Sequence, residues 1–346
     1  MSFKSAKKKL NQNQYSWLIT GVAGFIGSNL LEFLLLNNQK VTGLDNFSTG
    51  FEENLNDVKS IVTKSQWSNF RLIHGDIRNY NDCIKSLKDI DFVLHQAALG
   101  SVPRSIEDPI LTNDNNLTGF LNIIEASRNS KVNRFIFAAS SSTYGDSEIL
   151  PKKEEVIGKP ISPYAVTKLV NEIYAEVYSK TYNLRYVGLR YFNVFGKRQS
   201  PNGSYAAVIP KWTIKILNGK SIDIYGDGET SRDFCFIDNV VQANILAALS
   251  DNKAAYNQIY NVANGGRTSL NELFNMIKNN ANLVVGKEIN IEPNYKEFRA
   301  GDVMHSQADI SKIKLILGYN PSVNIDEGIA MTTDYFFKNN EKFIKF

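Results

Sequence analysis

The sequence predicts an α/β protein, a doubly wound parallel sheet with a smaller mixed α/β domain beside it. Short apolar runs alternate with helical stretches through the first half of the chain. These runs show little polar alternation, as expected of parallel strands buried on both faces. Glycine, proline and loop signals then become denser at 197–204, 226–230 and 264–267.

Each element follows in order. Residues 1–14 read as a flexible polar tail, in which Lys7, Lys8 and Lys9 are solvated charges. Residues 16–20 form a first strand ending in glycines. Residues 26–36 form an apolar helix, 41–44 a second strand and 46–50 a turn. Residues 70–74 and 91–94 are further strands, 117–128 a helix, and 134–139 another buried strand. Pro163 opens a long amphipathic helix over 164–182, and 185–191 is the next strand. The expected division is a dinucleotide-binding domain over 15–190, with returning segments near 233–262 and 308–316. Residues 191–232 and 263–346 supply most of a substrate-binding domain.

Length and composition agree with this. A chain of 346 residues suggests about two domains. At 43% hydrophobic and 21% charged residues it is an ordinary globular chain that needs no disulfide or metal staple. The net charge of +4 is spread among mixed signs beyond the N-terminus, so nucleic acid is not implied. Cys83 and Cys235 lie far apart, which fits a reducing compartment. His74, His95 and His305 stand alone, without a zinc pattern. No apolar run reaches the ~18 residues of a membrane span. The polar N-terminus does not read as a signal peptide, so a cytoplasmic location is expected.

The chemistry begins at Gly21-Val22-Ala23-Gly24-Phe25-Ile26-Gly27, between the first strand and the first helix. Gly21 permits a tight turn, Gly24 lets a pyrophosphate approach the backbone, and Gly27 lets helix and strand pack closely. Amides at the helix start face the phosphate charge. This is the Rossmann arrangement. Asp45 ends the second strand, where a carboxylate accepts from a ribose diol and repels a 2′-phosphate, favouring NAD over NADP. The competing reading is a turn aspartate, since Asn46 and Ser48 follow. Asp76, in Gly75-Asp76-Ile77-Arg78, is either an adenine contact or a turn residue. Gln96, Ala97 and Ala98 follow the fourth strand, where small residues let a cofactor lie flat.

Tyr164 and Lys168 stand four apart on one helical face. An ammonium there, with a positive nicotinamide, is expected to lower the phenol pKa until it can act as a base. Ser140, Ser141 and Ser142 follow the fifth strand, and a hydroxyl there can bridge substrate and tyrosine. Glycine loop, serines and Tyr–Lys pair all fall at strand ends, where open α/β sheets bind ligands.

In this order these motifs resemble the extended short-chain dehydrogenase/reductase family, over residues 16 to about 330. The resemblance implies NAD held by Gly21, Gly24, Phe25, Ile26, Gly27, Asp45, Asn46, Asp76, Ile77, Gln96, Ala97, Ala98, Ser140, Tyr164, Lys168, Tyr191 and Val194. It implies Tyr164, Lys168 and one of Ser141 and Ser142 as the catalytic groups. The segments 99–105 and 205–212 are most similar to those of bacterial epimerases of UDP-N-acetylhexosamines. That implies substrate contacts at Gly100, Ser101, Ser142, Asn193, Ala207, Val208, Lys211, Trp212, Tyr225, Arg232, Arg299, Asp302 and Ser306. Arg232 and Arg299 can fork onto diphosphate oxygens. Trp212 and Tyr225 are base contacts or plain core. Serine at 306 leaves room for an N-acetyl group that a tyrosine would exclude. The resemblance thus implies 4-epimerisation through a transient 4-keto sugar, by a homodimer, with no metal. A dehydratase or decarboxylase on the same scaffold is the alternative. Against the dehydratase, Ser142 is followed by Thr143-Tyr144-Gly145 and not by an Asp-Glu pair.

Overall fold

The computed structural model describes residues 1–202, 206–298 and 304–340. Seven parallel strands form the central sheet: β1 (Ser16–Thr20), β2 (Lys40–Asp45), β3 (Phe70–His74), β4 (Phe92–His95), β5 (Arg134–Ser140), β6 (Tyr186–Tyr191) and β7 (Gln258–Val262). Their spatial order is β7-β6-β5-β4-β1-β2-β3. The chain leaves β1 in one direction and resumes at β4 in the other, so a crevice opens between them at the carboxyl ends.

Side-chain alternation builds two cores from the same strands. Trp17, Ile19, Leu94 and Ile136 face one, while Leu18, Val93, Phe135 and Phe137 face the other. On the first face lie helix α2 (Phe25–Leu36) and the almost wholly buried helix Ile237–Leu249. The opposite face carries the helices Tyr80–Ser86, Gly119–Asn129 and Pro163–Tyr182, of which the last is α3 here. The later helices Val208–Leu217, Leu270–Val285 and Ile325–Lys338 pack on one another beside short two-stranded ladders.

The first residues are not a flexible tail. Phe3–Gln12 is a helix, α1, capped by the Ser2 hydroxyl accepting from Ser5 N–H at 3.2 Å. Phe3, Ala6 and Leu10 recur at helical spacing. Ala6 and Leu10 are fully buried, and Phe3 stacks on Phe33 of α2 at 5.7 Å. The lysines between them made the segment look solvated. Lys9 instead donates to Asp251 at 2.7 Å and to the Leu249 carbonyl at 3.2 Å, at the end of helix Ile237–Leu249. A second departure lies at 114–118, where the expected helix begins early as a π-helical turn, Asp114–Thr118, before Gly119–Asn129. A Cβ on Gly119 would lie 2.5 Å from Ile77 Cδ1, so the turn is set by close packing.

Among the described residues no helix is long and apolar enough to cross a membrane.

Candidate active site

A cleft of about 310 Å³ occupies the β1–β4 crevice. Gly21, Gly24, Phe25, Ile26 and Gly27 line one side, Asp45, Asn46 and Ile77 another, and Gln96, Ala97, Ala98 and Gly100 the floor and far wall. Gly21 turns with φ +70°, and a Cβ there would sit 2.9 Å from the Ala97 backbone. At Gly27 a Cβ would fall 2.1 Å from the Gly21 carbonyl oxygen. Gly24 differs, since its Cβ would meet only that same oxygen, at 3.1 Å. Gly24 is the N-cap of α2 and offers no side-chain cap, so the first amides of the helix are left for an anion. The residues present therefore fit a dinucleotide.

Asp45 lines this cleft while already accepting from Ala23 N–H and Phe47 N–H, both at 2.8 Å. Burial raises its pKa and these two amides oppose the rise. Each oxygen keeps a lone pair for a ribose hydroxyl. Asp76 is placed differently: Gly75 and Ile77 line the cleft and Asp76 does not. Burial would push its carboxyl up, but hydrogen bonds from Arg78 and Asn46 outweigh it and bring the carboxyl to about 2. The Asp76 carboxylate thus ties Asn46 and Arg78 together beside the cleft. Tyr191 and Val194 also stand back. The Tyr191 hydroxyl meets Gln96 Oε1 at 3.2 Å and Asn244 Nδ2 at 2.9 Å, so it steadies a lining residue from behind. Val194 pairs in a two-residue ladder with Cys235.

The reactive side chains converge at the end of β5. Ser162 caps α3 by accepting from Ala165 N–H at 3.2 Å, and Pro163 occupies the first helical position. Lys168 Nζ lies 5.8 Å from the Tyr164 ring centre and donates to the Ala138 carbonyl of β5 at 2.8 Å. Burial pulls the Lys168 ammonium down to about 8, and the Glu172 carboxylate resists. The expected lowering of the Tyr164 phenol combines the Lys168 ammonium with a positive nicotinamide, and the protein's own surroundings work against it. Burial raises the phenol pKa, and interaction with the Ser140 side chain only partly offsets that. The spacing fixes the pair, but the dry surroundings decide the sign.

Ser140 is central among the serines. Its Oγ accepts from Ser142 N–H at 3.1 Å and from Ser142 Oγ at 2.9 Å. The sequence assigned Ser140 to the cofactor and Ser141 or Ser142 to chemistry. Here Ser140 faces the phenol and Ser142 is one hydrogen bond further out.

A second cavity of about 250 Å³ lies among the later helices. Asn193, Val208, Lys211, Trp212, Tyr225 and Arg232 line it, together with Ala206, Lys215, Asp223, Thr230, Phe234 and Leu270. Ala207 is instead the N-cap of Val208–Leu217. Ser306 is held by its N–H on the Ser231 carbonyl at 3.0 Å, next to Arg232. Ser101 adopts φ +95° and caps the helix Val102–Glu107 by accepting from Arg104 N–H. Arg299 and Asp302 lie outside the described residues. The sequence reading missed Lys215, legible as one turn beyond Lys211, and Asn115, which lines the first cleft from the π-helical turn. Its neighbour Asn116 binds the Leu99 backbone through both N–H (2.8 Å) and carbonyl (3.0 Å), and donates to Thr167 Oγ1 of α3 at 3.2 Å.

A parallel sheet with a glycine-lined crevice at its strand ends and a Tyr–Lys pair beside the end of β5 defines an enzyme of the short-chain dehydrogenase class. Residues 17–263 match the NAD dependent epimerase/dehydratase family, to which the chain belongs, and NAD is its cofactor. A UDP-N-acetylglucosamine 4-epimerase from Methanobrevibacter ruminantium, solved with UDP-N-acetylmuramic acid, is 39% identical. It has a TM-score of 0.85, with 94% of this chain and 99% of that one covered. A Thermus thermophilus UDP-glucose 4-epimerase in complex with NAD is 33% identical with a TM-score of 0.79, over 93% and 99% of the chains. A UDP-glucuronate 4-epimerase from Thermodesulfobacterium geofontis is 33% identical over 94% of this chain and 97% of its own.

Proposed function

We propose that this enzyme epimerises UDP-N-acetylhexosamines at C4, interconverting UDP-GlcNAc and UDP-GalNAc or their uronic acids. The observation that carries the N-acetyl preference is the open space over Gly100. A Cβ there meets nothing within 4 Å, although the residue lines the cleft. Serine at 306 supports the same reading.

Bound NAD supplies the hydride acceptor and a positive ring. Tyr164 takes the proton of the sugar 4-hydroxyl, with Ser140 and Ser142 relaying the hydrogen bond. Lys168 holds the cofactor ribose, and its positive charge favours the phenolate form in which Tyr164 accepts that proton. Arg232, Lys211 and the flat faces of Trp212 and Tyr225 retain the UDP while the keto sugar turns its other face. The nucleotide's binding energy thereby serves the chemistry at C4. Tyr164 then returns the proton, and the cofactor ends unchanged.

A dehydratase reading needs an acid/base pair after the serines. The side chains there are Thr143, which donates to the Ser140 carbonyl, and Tyr144, bonded to Asn261 and pushed by burial to about 12. Neither is a free acid. The exposed apolar residues Ile106, Ile110, Val166, Ile173 and Val177 on the helices 102–107, 109–113 and α3 fit a second copy of this chain as partner. Sedimentation as a monomer at micromolar concentration would remove the dimer.

The test is an NMR assay with UDP-GlcNAc, UDP-GalNAc and their uronic acids, without added NAD. Interconversion with no net NADH is expected, and loss of water or carbon dioxide refutes the reading. Tyr164→Phe is expected to lower turnover at least ~100-fold, and near-normal turnover removes Tyr164 as the base.

A further inference from the structure

We infer that Asp233 is a positioning residue: its buried carboxylate pins the 264–265 turn and the 304–308 segment behind the second cavity, and so holds Arg232 in place for the diphosphate. This rests on the reading of that cavity as the UDP site.

Thr230, Arg232 and Phe234, every other residue of one segment, line the cavity. Alternation along the strand Ser231–Arg232 and its continuation puts Ser231 and Asp233 on the face turned away. Both are buried, 5% and 1% exposed. On that far face each holds a different part of 304–308. The Ser231 hydroxyl meets His305 Nδ1 at 2.8 Å, and Ser231 N–H donates to the Met304 carbonyl at 3.0 Å. Asp233 Oδ2 accepts from Ala308 N–H at 3.2 Å. The same carboxylate reaches the turn after β7, where Oδ1 accepts from Asn264 N–H at 3.0 Å and Oδ2 from Gly265 N–H at 3.1 Å. Gln307 Nε2 closes the triangle by donating to the Gly265 carbonyl at 3.2 Å.

The lining residues hang on this frame. Arg232 Nη1 donates to the Ser231 and Met304 carbonyls at 3.0 and 3.1 Å, so the place of 304–308 sets the place of the guanidinium. Asn193 Nδ2 donates to the Asp233 carbonyl at 2.9 Å. Stretches of chain around 193, 232, 264 and 306, far apart in sequence, therefore meet at one residue. A carboxylate suits the task, because amides donating to a charge are held more firmly than amides on a neutral acceptor. An asparagine of the same shape would turn its NH2 toward the N–H of either Asn264 or Ala308.

The experiment compares the wild-type holoenzyme with Asp233→Asn and measures KI for UDP, KM and kcat with UDP-GlcNAc, and NAD content. KI and KM should rise together about tenfold, a part of the roughly 100-fold that a 1 Å misplacement costs. Turnover should stay within about twofold of wild type, as when binding common to ground and transition states is lost. NAD content should not change, because the β1–β4 crevice is untouched. An unmoved KI overturns the inference and leaves Asp233 as a structural tie. Loss of NAD also overturns it, since the disturbance is then not confined to the cavity. If Asp233→Asn does not fold, hydrogen exchange of the wild-type holoenzyme decides. Contacts that favour UDP must in turn be favoured by it, so saturating UDP should slow exchange of the Asn264, Gly265 and Ala308 amides about tenfold. Unchanged exchange there overturns the inference. Failure of UDP to inhibit the wild type removes the assignment of the cavity, whereas inhibition of the wild type with an unmoved KI in the variant removes only this inference.

Discussion

Gly27→Ala is expected to damage the cofactor turn itself. The added Cβ would fall 2.1 Å from the Gly21 carbonyl oxygen, 2.8 Å from its carbon and 2.9 Å from Val22 Cα. All three are backbone atoms, so no side chain can swing aside. Ordinary contact begins at 3.4 Å, so the loop must retreat by about 1.3 Å. Overpacking of this kind costs about 1–3 kcal/mol. A displacement of about 1 Å in positioning groups costs on the order of 100-fold in rate. Gly24→Ala is the internal comparison, because its Cβ meets one oxygen at 3.1 Å and needs only a few tenths of an ångström. That variant should keep its stability yet crowd the pyrophosphate. The assays are NAD released from purified protein on denaturation, thermal unfolding, and turnover. Gly27→Ala should lose NAD, stability and activity together, whereas Gly24→Ala should lose NAD and activity alone. Native melting and full NAD content in Gly27→Ala would refute the reasoning.

Two further outcomes follow from particular side chains. Leu10→Ala should cost about 2–5 kcal/mol in a denaturant melt, with Lys8→Ala nearly silent, and equal small effects would return α1 to the status of a loose tail. Ser306→Tyr should depress kcat/KM for UDP-GlcNAc more than for UDP-glucose, and an equal effect on both would discard the steric argument.

Six strands of the central sheet were legible because parallel strands are short apolar runs, whereas β7, Gln258–Val262, was not read as a strand. Ser16–Thr20 and Phe70–His74 match their expected bounds, and β2, β4, β5 and β6 differ from theirs by a residue or two. The helix α1 was hidden by its composition, since four lysines outweigh two buried residues unless the period is read. Asn115 was illegible for a different reason. It reaches the cleft from a π-helical turn whose place depends on Gly119 packing against Ile77, a contact between distant segments. The Tyr164–Lys168 pairing follows from helical spacing, but the direction of the phenol's shift depends on surroundings that spacing does not encode. The lining of the second cavity came from family likeness more than from local physics, because an aromatic on an apolar helix face is ordinarily core. Trp212, 5% exposed, is both.

Asn116 joins two parts of the molecule that the chemistry needs to keep in register. One amide side chain grips the Leu99 backbone at the cleft wall and the helix that carries the base. A displacement of that wall pulls on the side chain that also meets Thr167 of α3. The shape of the cleft wall and the placing of Tyr164 and Lys168 are thereby coupled through one residue.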